Sequence, residues 1–503
     1  MTSSPAPAAS TTLLRLIVFV VGAGSLGAEI SAARLLAPYF GASTIIWANT
    51  IATVLVALSA GYALGGRLAD RRADLRGLCT IVLIAGALLA LVPFVADPFL
   101  RVSVKALGSL SVGAFLGSLA AVLVLVAVPV MLLGTIAPYA NRLALPDVEQ
   151  TGTITGGLYA ISTAGSLVGT FLAALLLIPL LGTHRTFLVF ALALALVGAL
   201  GIRSGKIMLV PVAVAALLAV PQPAIGSGIA GARLIRSAET PYQYVRVEQQ
   251  PDGERLLTLN EGVAIHSDYR PWSFLTGGYW DDFLVLPLSE SQGPPRRIAI
   301  LGNAAGTTAR AYAHYFPATR VDAVELDGTL TALGKQLFGL GGANLHLYTA
   351  DARPWLDASH ARYDAIFLDA YRQPYIPFYL LTREFFSQVR SHLNPGGQVI
   401  VNVGHVPGSD SLEKVVSATM HTAFRVVARD RFDETNSLVI GSEAPLSRAR
   451  IYRAAPPELR PLAFSAGLRL APALAGGSVY TDDRAPVEWL TDLSIVRYAA
   501  GSK

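Results

Sequence analysis

Apolar residues fall into two regimes along this chain of 503 residues. From residue 13 to about 222 they form long runs broken by few charges; from 234 onward they alternate with polar residues at short intervals. A helix needs about 20 mostly apolar residues to cross a bilayer. By that measure residues 13–36, 44–65, 77–96, 109–137, 154–181 and 184–202 are expected to span, and 206–222 is a marginal seventh candidate, short and holding Pro211. Small residues recur at four-residue spacing in Gly61…Gly65 and Gly165…Gly169, which lets helix backbones approach closely. Glu29 and Arg34 interrupt the first run; an ionisable residue there is a functional candidate, or sits near a helix end, or pairs inside the bundle.

The second regime has shorter periods. Tyr244-Val-Arg-Val-Glu and Arg255-Leu-Leu-Thr-Leu-Asn read as strands joined by a Pro-Asp-Gly turn at 251–253. Leu275 to Leu288 reads as a helix. Beyond Arg297 the pattern predicts strand 297–302, helix 307–316, strand 320–325, helix 328–338, strand 344–349, strand 363–369, helix 380–392 and strand 397–402. Such alternation implies βαβ units and a mainly parallel sheet, with ligands at the carboxyl ends of its strands. The expected fold is therefore an N-terminal α-helical transmembrane bundle of six to seven spans, then a C-terminal α/β Rossmann-like domain preceded by a small β-rich subdomain. The boundaries drawn are a tail 1–12, a helical domain 13–222, a linker 223–233, the small subdomain 234–288 and the Rossmann-like domain 289–503.

Composition fits a split chain. A hydrophobic fraction of 53% with 15% charged residues is too apolar for an ordinary soluble protein. The formal charge of +5 is modest, and no basic-aromatic stripe marks a nucleic-acid face. Arg67, Arg71, Arg72 and Arg76 crowd one short loop, which is expected to face the cytoplasm. Six spans would then leave the second half inside, and seven would leave it outside. The single cysteine, Cys79, excludes an internal disulfide and a cysteine-based metal cluster. The first 12 residues lack the basic start of a cleavable signal peptide.

The candidate chemistry lies at successive strand ends. Ile298-Ala-Ile-Leu-Gly-Asn-Ala-Ala-Gly306 places Gly302 and Gly306 around the first turn, where a missing side chain admits a nucleoside. Taken alone this turn is a weak fingerprint. Val321-Asp-Ala-Val-Glu-Leu-Asp327 ends the second strand with Glu325, a carboxylate able to accept both ribose hydroxyls. Asp351-Ala352 follows the third strand and can receive an adenine amino group; Tyr363-Asp-Ala-Ile-Phe-Leu-Asp369 ends the fourth. No lysine-bearing phosphate loop is present, which argues against ATP.

These residues resemble the spermidine synthases, the polyamine aminopropyltransferases, over roughly 234–503, and the whole chain resembles the membrane-fused bacterial group described as fused transporter/spermidine synthase. Thr240-Pro-Tyr242-Gln243 is similar to the family's Ser-x-Tyr-Gln motif. Tyr279-Trp-Asp281, followed by Pro287, is similar to the segment carrying its catalytic tyrosine. Glu325 matches its ribose-binding glutamate, Asp351 its adenine-side aspartate and Asp369 the first aspartate of its catalytic loop. The resemblance implies that Asp369 and Tyr279 are catalytic. It puts Gln243, Gly302, Gly306, Glu325, Asp327, Asp351 and Ala352 around the adenosyl group, and Tyr242, Asp281 and Arg372 at the substrate. It implies transfer of a propylamine from decarboxylated S-adenosylmethionine to an amine, with methylthioadenosine released and no metal or tightly bound cofactor required.

Two departures bear on the substrate. The family's turn carries an aspartate where this chain has Ala305, and the second aspartate of its catalytic loop is Arg372 here. Arginine is shaped to hold a carboxylate by two hydrogen bonds, so intact S-adenosylmethionine, cleaved, cyclised or used as a methyl donor, is the alternative; Arg372 pointing to solvent is the plain one. A third reading is a polyamine or nucleoside transporter or sensor with a binding-only soluble half. Asp281, Asp282, Asp482 and Asp483 lie in segments able to line the cleft, and His266 either touches substrate or is structural. The expected partners are a small amine, an adenosyl sulfonium and the lipid bilayer, with no nucleic acid and homo-oligomerisation left open. The expected location is the bacterial inner membrane, multi-pass, with the catalytic domain cytoplasmic.

Overall fold

The computed structural model describes every residue except 1–10, 41–43, 72, 108–112, 145–150, 222–224, 227, 261–263, 291–292, 373 and 500–503. Most of the N-terminal tail, part of the linker and Arg72 therefore lie outside the described residues. The chain divides into two compact units, Met1–Ser227 with Ala238–Tyr244, and Gly228–Ser237 with Val245–Lys503.

Among the described residues of the first unit six helices are long and apolar enough to cross a membrane: Thr11–Phe40, Ile46–Arg71, Leu75–Ser103, Gly117–Ala144, Gly152–Leu181 and Thr183–Ile202. The marginal seventh candidate is a nine-residue helix, Leu209–Leu217. At 1.5 Å per residue it is far shorter than a hydrocarbon core about 30 Å thick. Glycines set the closest helix crossings. A Cβ on Gly165 would lie 2.1 Å from the Phe19 carbonyl oxygen, and one on Gly169 2.2 Å from that of Ala23. Gly61 and Gly65 meet the carbonyls of Met131 and Thr135 just as tightly. Arg34 donates to the Thr240 carbonyl through Nη2. The Glu239 carboxylate accepts from the Thr183 backbone N–H at 2.7 Å and from the Thr183 hydroxyl, capping the N-terminus of the sixth of these helices.

Four strands come next, β1 (Arg233–Glu239), β2 (Tyr244–Gln249), β3 (Arg255–Leu259) and β4 (Ile265–Tyr269), in sheet order β1-β2-β3-β4. Gly253, at φ +96°, turns the chain between β2 and β3. The segment Leu275–Leu288 differs from expectation: it is not a continuous helix but two 3₁₀ turns, Tyr279–Leu284 and Leu286–Ser289. Two forces decide this. The Asp281 carboxylate accepts from the Thr276 and Gly277 backbone N–H groups, which closes a turn instead of starting an α-helix. Pro287 then removes a backbone donor. The apolar run buries Trp280 through Ser289 on all sides rather than along one helical face.

The larger sheet holds β5 (Arg297–Leu301), β6 (Arg320–Glu325), β7 (Leu345–Thr349), β8 (Tyr363–Leu368), β9 (Leu393–Gly404), β10 (Val426–Arg431), β11 (Asn436–Ser442) and β12 (Leu470–Pro472). Its order is β12-β10-β11-β9-β8-β5-β6-β7. The pairings among β7, β6, β5, β8 and β9 are parallel; those of β11 with β9, and of β10 with β11 and β12, are antiparallel. The sheet is thus mixed, with its antiparallel strands in the region after 404 for which sequence pattern made no prediction. A short helix, Ala352–Ala358, also went unpredicted. Alternation along each strand fills two cores: Ala299, Leu301, Ile366 and Leu368 point to one, Ile298, Ile300, Ala365 and Phe367 to the other. The chain runs from β5 outward through β6 and β7, then returns to β8 on the opposite side of β5. That reversal opens a crevice at the carboxyl ends of β5 and β8.

Candidate active site

The crevice is built on Gly302. Its φ is +93°, and a Cβ there would lie 2.4 Å from Ala370 Cα and 2.5 Å from the Asp369 carbonyl oxygen. Gly302 and Asn303 donate their N–H groups to the Val324 carbonyl, at 3.0 and 3.1 Å, while Asp369 donates to that of Leu301 at 2.9 Å. The turn after β5 is thereby tied to the ends of both neighbouring strands. Ala304 sits at φ +45°, unusual for a residue with a side chain. Its N–H donates to Glu325 Oε2 at 2.7 Å, and the Ala305 N–H to Ser267 Oγ at 2.9 Å, which hold it there. Gly306, at φ +94°, packs where a Cβ would strike Leu340 and starts helix Thr307–Tyr315.

Asp369 follows β8. Both its carboxylate oxygens lie 3.1 Å from the Tyr279 hydroxyl, and its Oδ1 accepts from Asn402 Nδ2 at 2.8 Å. Asn402 is itself steadied by Asn436 Nδ2, which donates to Asn402 Oδ1 at 2.9 Å. Burial pushes the Asp369 carboxyl up to about 7; hydrogen bonds from Asn402, Tyr279 and Trp280 pull it back, and the charge of Glu325 adds to the rise. The Tyr279 phenol is held well above its ordinary value, first by burial and then by the Asp369 charge. A small recess opens here, lined by Tyr279, Asp369, Gly302, Asn303, Ala304, His266 and Thr307 among others.

The remaining acids sit along β6 and β7. Glu325 Oε1 accepts from the Asp327 N–H at 3.0 Å, and burial raises this carboxyl against its backbone hydrogen bonds. Asp327 caps helix Gly328–Leu337 by accepting from the Thr329 N–H. Asp351 caps the helix beginning at Ala352 and accepts the Tyr379 hydroxyl at 2.7 Å. Gly302, Glu325, Asp351 and Asp369 thus close the neighbouring strands β5, β6, β7 and β8.

Other sequence candidates lie elsewhere. The Asp281 carboxylate is engaged by Thr276 and Gly277, so it shapes the turn that presents Tyr279. Asp282 is buried and paired with Arg469, which also holds Asp430. Asp482 is held by both Nη atoms of Arg353, at 2.8 and 2.6 Å, and Asp483 is exposed. Arg372 is exposed, its backbone bridged to Tyr375, and does not line the recess. Tyr242 and Gln243 belong to the Ala238–Tyr244 segment of the first unit; both donate backbone N–H groups to Thr240 Oγ1. Sequence reading missed Asn402, Asn436 and Tyr379. The polar Asn402 within the apolar run Val399–Val403 was the one local signal available.

No family profile matches the chain. A probable polyamine aminopropyl transferase of Bifidobacterium longum is 34% identical over 203 residues, 40% of this chain and 45% of that protein. A polyamine aminopropyltransferase of Vibrio vulnificus is 32% identical over 112 residues, 22% of this chain and 38% of its own length. The chain therefore spans less than half the length of these two relatives. A polyamine aminopropyltransferase of Ralstonia nicotianae is 26% identical over 405 residues, 73% of this chain and 71% of that protein. Among solved structures, a probable spermidine synthase from Corynebacterium glutamicum is 21% identical with a TM-score of 0.38, covering 52% of this chain and all of that one. Over part of its length, then, the chain is similar to polyamine aminopropyltransferases.

Proposed function

We propose that the protein is a membrane-bound, aminopropyltransferase-like enzyme that attacks the sulfonium of decarboxylated S-adenosylmethionine. The acceptor amine bonds to the carbon beside sulfur as the carbon–sulfur bond breaks. Sulfur takes the electron pair, neutral methylthioadenosine leaves, and the proton lost by the amine passes to Asp369. The observation carrying this reading is the Tyr279–Asp369–Asn402 cluster in the wall of the recess beside the Gly302 turn. A carboxyl pushed up to about 7 is matched to taking a proton from an amine near neutral pH. Glu325 and Asp351, closing β6 and β7, are assigned the ribose and adenine; Gly302 and Gly306 serve the site by letting the turn pack against Ala370 and Leu340, not by leaving open space as the sequence suggested. The names of the relatives, polyamine aminopropyltransferases, support an amine as acceptor and an aminopropyl group as what is transferred.

A second reading replaces the donor with intact S-adenosylmethionine. It is favoured by Asp369 being, among the described residues, the one carboxylate lining the recess, and by Ala305 bringing no polar side chain to the turn. We place the helical unit in the bacterial inner membrane. An even number of spans returns the chain to its starting side, and Arg67, Arg71 and Arg76 set that side as cytoplasmic.

The test is a product assay on the full chain in detergent. Decarboxylated S-adenosylmethionine with putrescine, and intact S-adenosylmethionine with and without putrescine, are analysed by mass spectrometry. Methylthioadenosine with an alkylated amine supports the transferase reading, and Asp369→Asn is expected to abolish it while leaving methylthioadenosine binding in place. Nucleoside binding with no covalent product from any mixture would favour a binding-only domain.

A further inference from the structure

Among the described residues, the Thr481-Asp-Asp-Arg484 motif does not line the recess, yet a run of hydrogen bonds ties it to the site. The motif closes on itself: the Arg484 N–H donates to the Thr481 carbonyl at 3.0 Å, and the Thr481 N–H to the Arg484 carbonyl at 3.1 Å. Asp482 is then fixed from several sides. Its Oδ1 accepts from Thr382 Oγ1 at 2.6 Å, and its N–H donates to Glu384 Oε2 at 3.0 Å. Its carboxylate takes both Nη atoms of Arg353 in a fork, at 2.8 and 2.6 Å. Arg353 Nη1 also donates to the Tyr379 carbonyl at 2.9 Å, and the Tyr379 hydroxyl donates to Asp351 Oδ2 at 2.7 Å. The other oxygen, Asp351 Oδ1, accepts from the Arg353 N–H at 3.1 Å. Contacts thus run from the motif to the carboxylate assigned to adenine.

Stability does not account for this arrangement. The Asp482 side chain is 44% exposed and that of Arg353 24%, and an ion pair this open contributes little to folding. What two parallel bonds supply is direction: the fork fixes the guanidinium, and through Nη1 the guanidinium fixes the Tyr379 backbone. Burial and the hydrogen bond to Asp351 hold the Tyr379 phenol above its ordinary value, so it keeps its proton and donates. Asp351 then has one acceptor position on each oxygen filled in a set direction, and the others open to a ligand. A carboxylate only accepts. It takes the amino group at position 6 of adenine and repels the carbonyl that hypoxanthine carries there.

We propose that Asp482 is a positioning residue for base recognition: it sets Arg353, Arg353 sets Tyr379, and Tyr379 orients Asp351 toward the exocyclic amine of the adenosyl ligand. This rests on the reading that Asp351 receives the adenine. Asp482 itself touches neither donor nor acceptor; it acts from 129 residues beyond Arg353 in the chain. Preference for a 6-amino over a 6-oxo purine is therefore a property of the Thr481–Arg484 turn as well as of the end of β7.

The test is isothermal titration of the full chain in detergent with methylthioadenosine and methylthioinosine, which differ at position 6 of the base. The wild type is expected to bind the amino form more tightly by roughly tenfold or more, and Asp351→Ala to remove most of that preference. Asp482→Ala and Tyr379→Phe should each shrink it by roughly threefold to tenfold, with methylthioinosine affinity kept within about twofold. Arg353→Lys keeps the charge without the fork and should behave as Asp482→Ala does. A merely structural role would weaken both nucleosides alike. If Asp351→Ala removes the preference while Asp482→Ala or Tyr379→Phe leaves it intact, or lowers both affinities equally, the turn does not act on the base and the proposal is wrong. If the wild type shows no preference, or Asp351→Ala leaves it unchanged, the adenine reading of Asp351 fails first and takes this inference with it.

Discussion

Replacing Asn402 with leucine should shift the pH dependence of turnover. Asn402 Nδ2 donates to Asp369 Oδ1 at 2.8 Å, and this bond favours the ionised carboxylate against the burial that pushes it up to about 7. A hydrogen bond to a charged group contributes about 1.5–3 kcal/mol, and 1.36 kcal/mol corresponds to one pKa unit. Leucine keeps the volume and excludes water, so losing the bond should raise the Asp369 pKa by about 1 to 2. The sign follows from the role: a base must be unprotonated, so activity appears as pH rises through this value. At pH 7.5 the ionised fraction would fall from roughly three quarters to roughly one tenth. The assay is a pH profile of kcat/KM with saturating amine. The wild-type profile should bend near 7 and that of Asn402→Leu clearly higher, with activity recovering at alkaline pH. A uniform loss with an unmoved bend would refute the argument and mark Asn402 as merely structural.

Two further predictions concern the framework. Gly302→Ala should destabilise the catalytic unit by about 2 kcal/mol or more, since φ +93° and the 2.4 Å approach to Ala370 both oppose a Cβ; hydrogen exchange of the full chain should show faster opening of the segment around 302–306, and methylthioadenosine binding should weaken. Gly165→Leu should force the helices Thr11–Phe40 and Gly152–Leu181 apart at Phe19, lowering the thermal stability of the helical unit in detergent while methylthioadenosine binding persists.

Much was legible because it depends on local periodicity. Six of the seven apolar runs proposed as spans are long apolar helices among the described residues, and the glycine spacing at Gly165 and Gly169 anticipated the tight crossing at Phe19 and Ala23. Glu325, Asp351 and Asp369 could be put at strand ends because βα alternation fixes where each strand stops. The seventh candidate and the Leu275–Leu288 helix show the limit. Hydropathy measures burial without saying what form a buried segment takes; in the second case the Asp281 carboxylate and Pro287 decided the form.

Sequence by itself determined the two-part architecture, the strand–turn–strand frame and the acids at its ends, since each follows from residue type and spacing over a few positions. The tertiary structure alone decided which groups those acids touch. Asn402 reaches Asp369 from 33 residues away because β9 lies beside β8, and Tyr379 reaches Asp351 from 28 residues away across the carboxyl ends of the strands. The same is true of the turn that takes up Asp281, the exposure of Arg372 and the fork between Arg353 and Asp482. Hydrogen-bond partners and burial are set by which strands lie side by side, and a one-dimensional pattern does not contain that order.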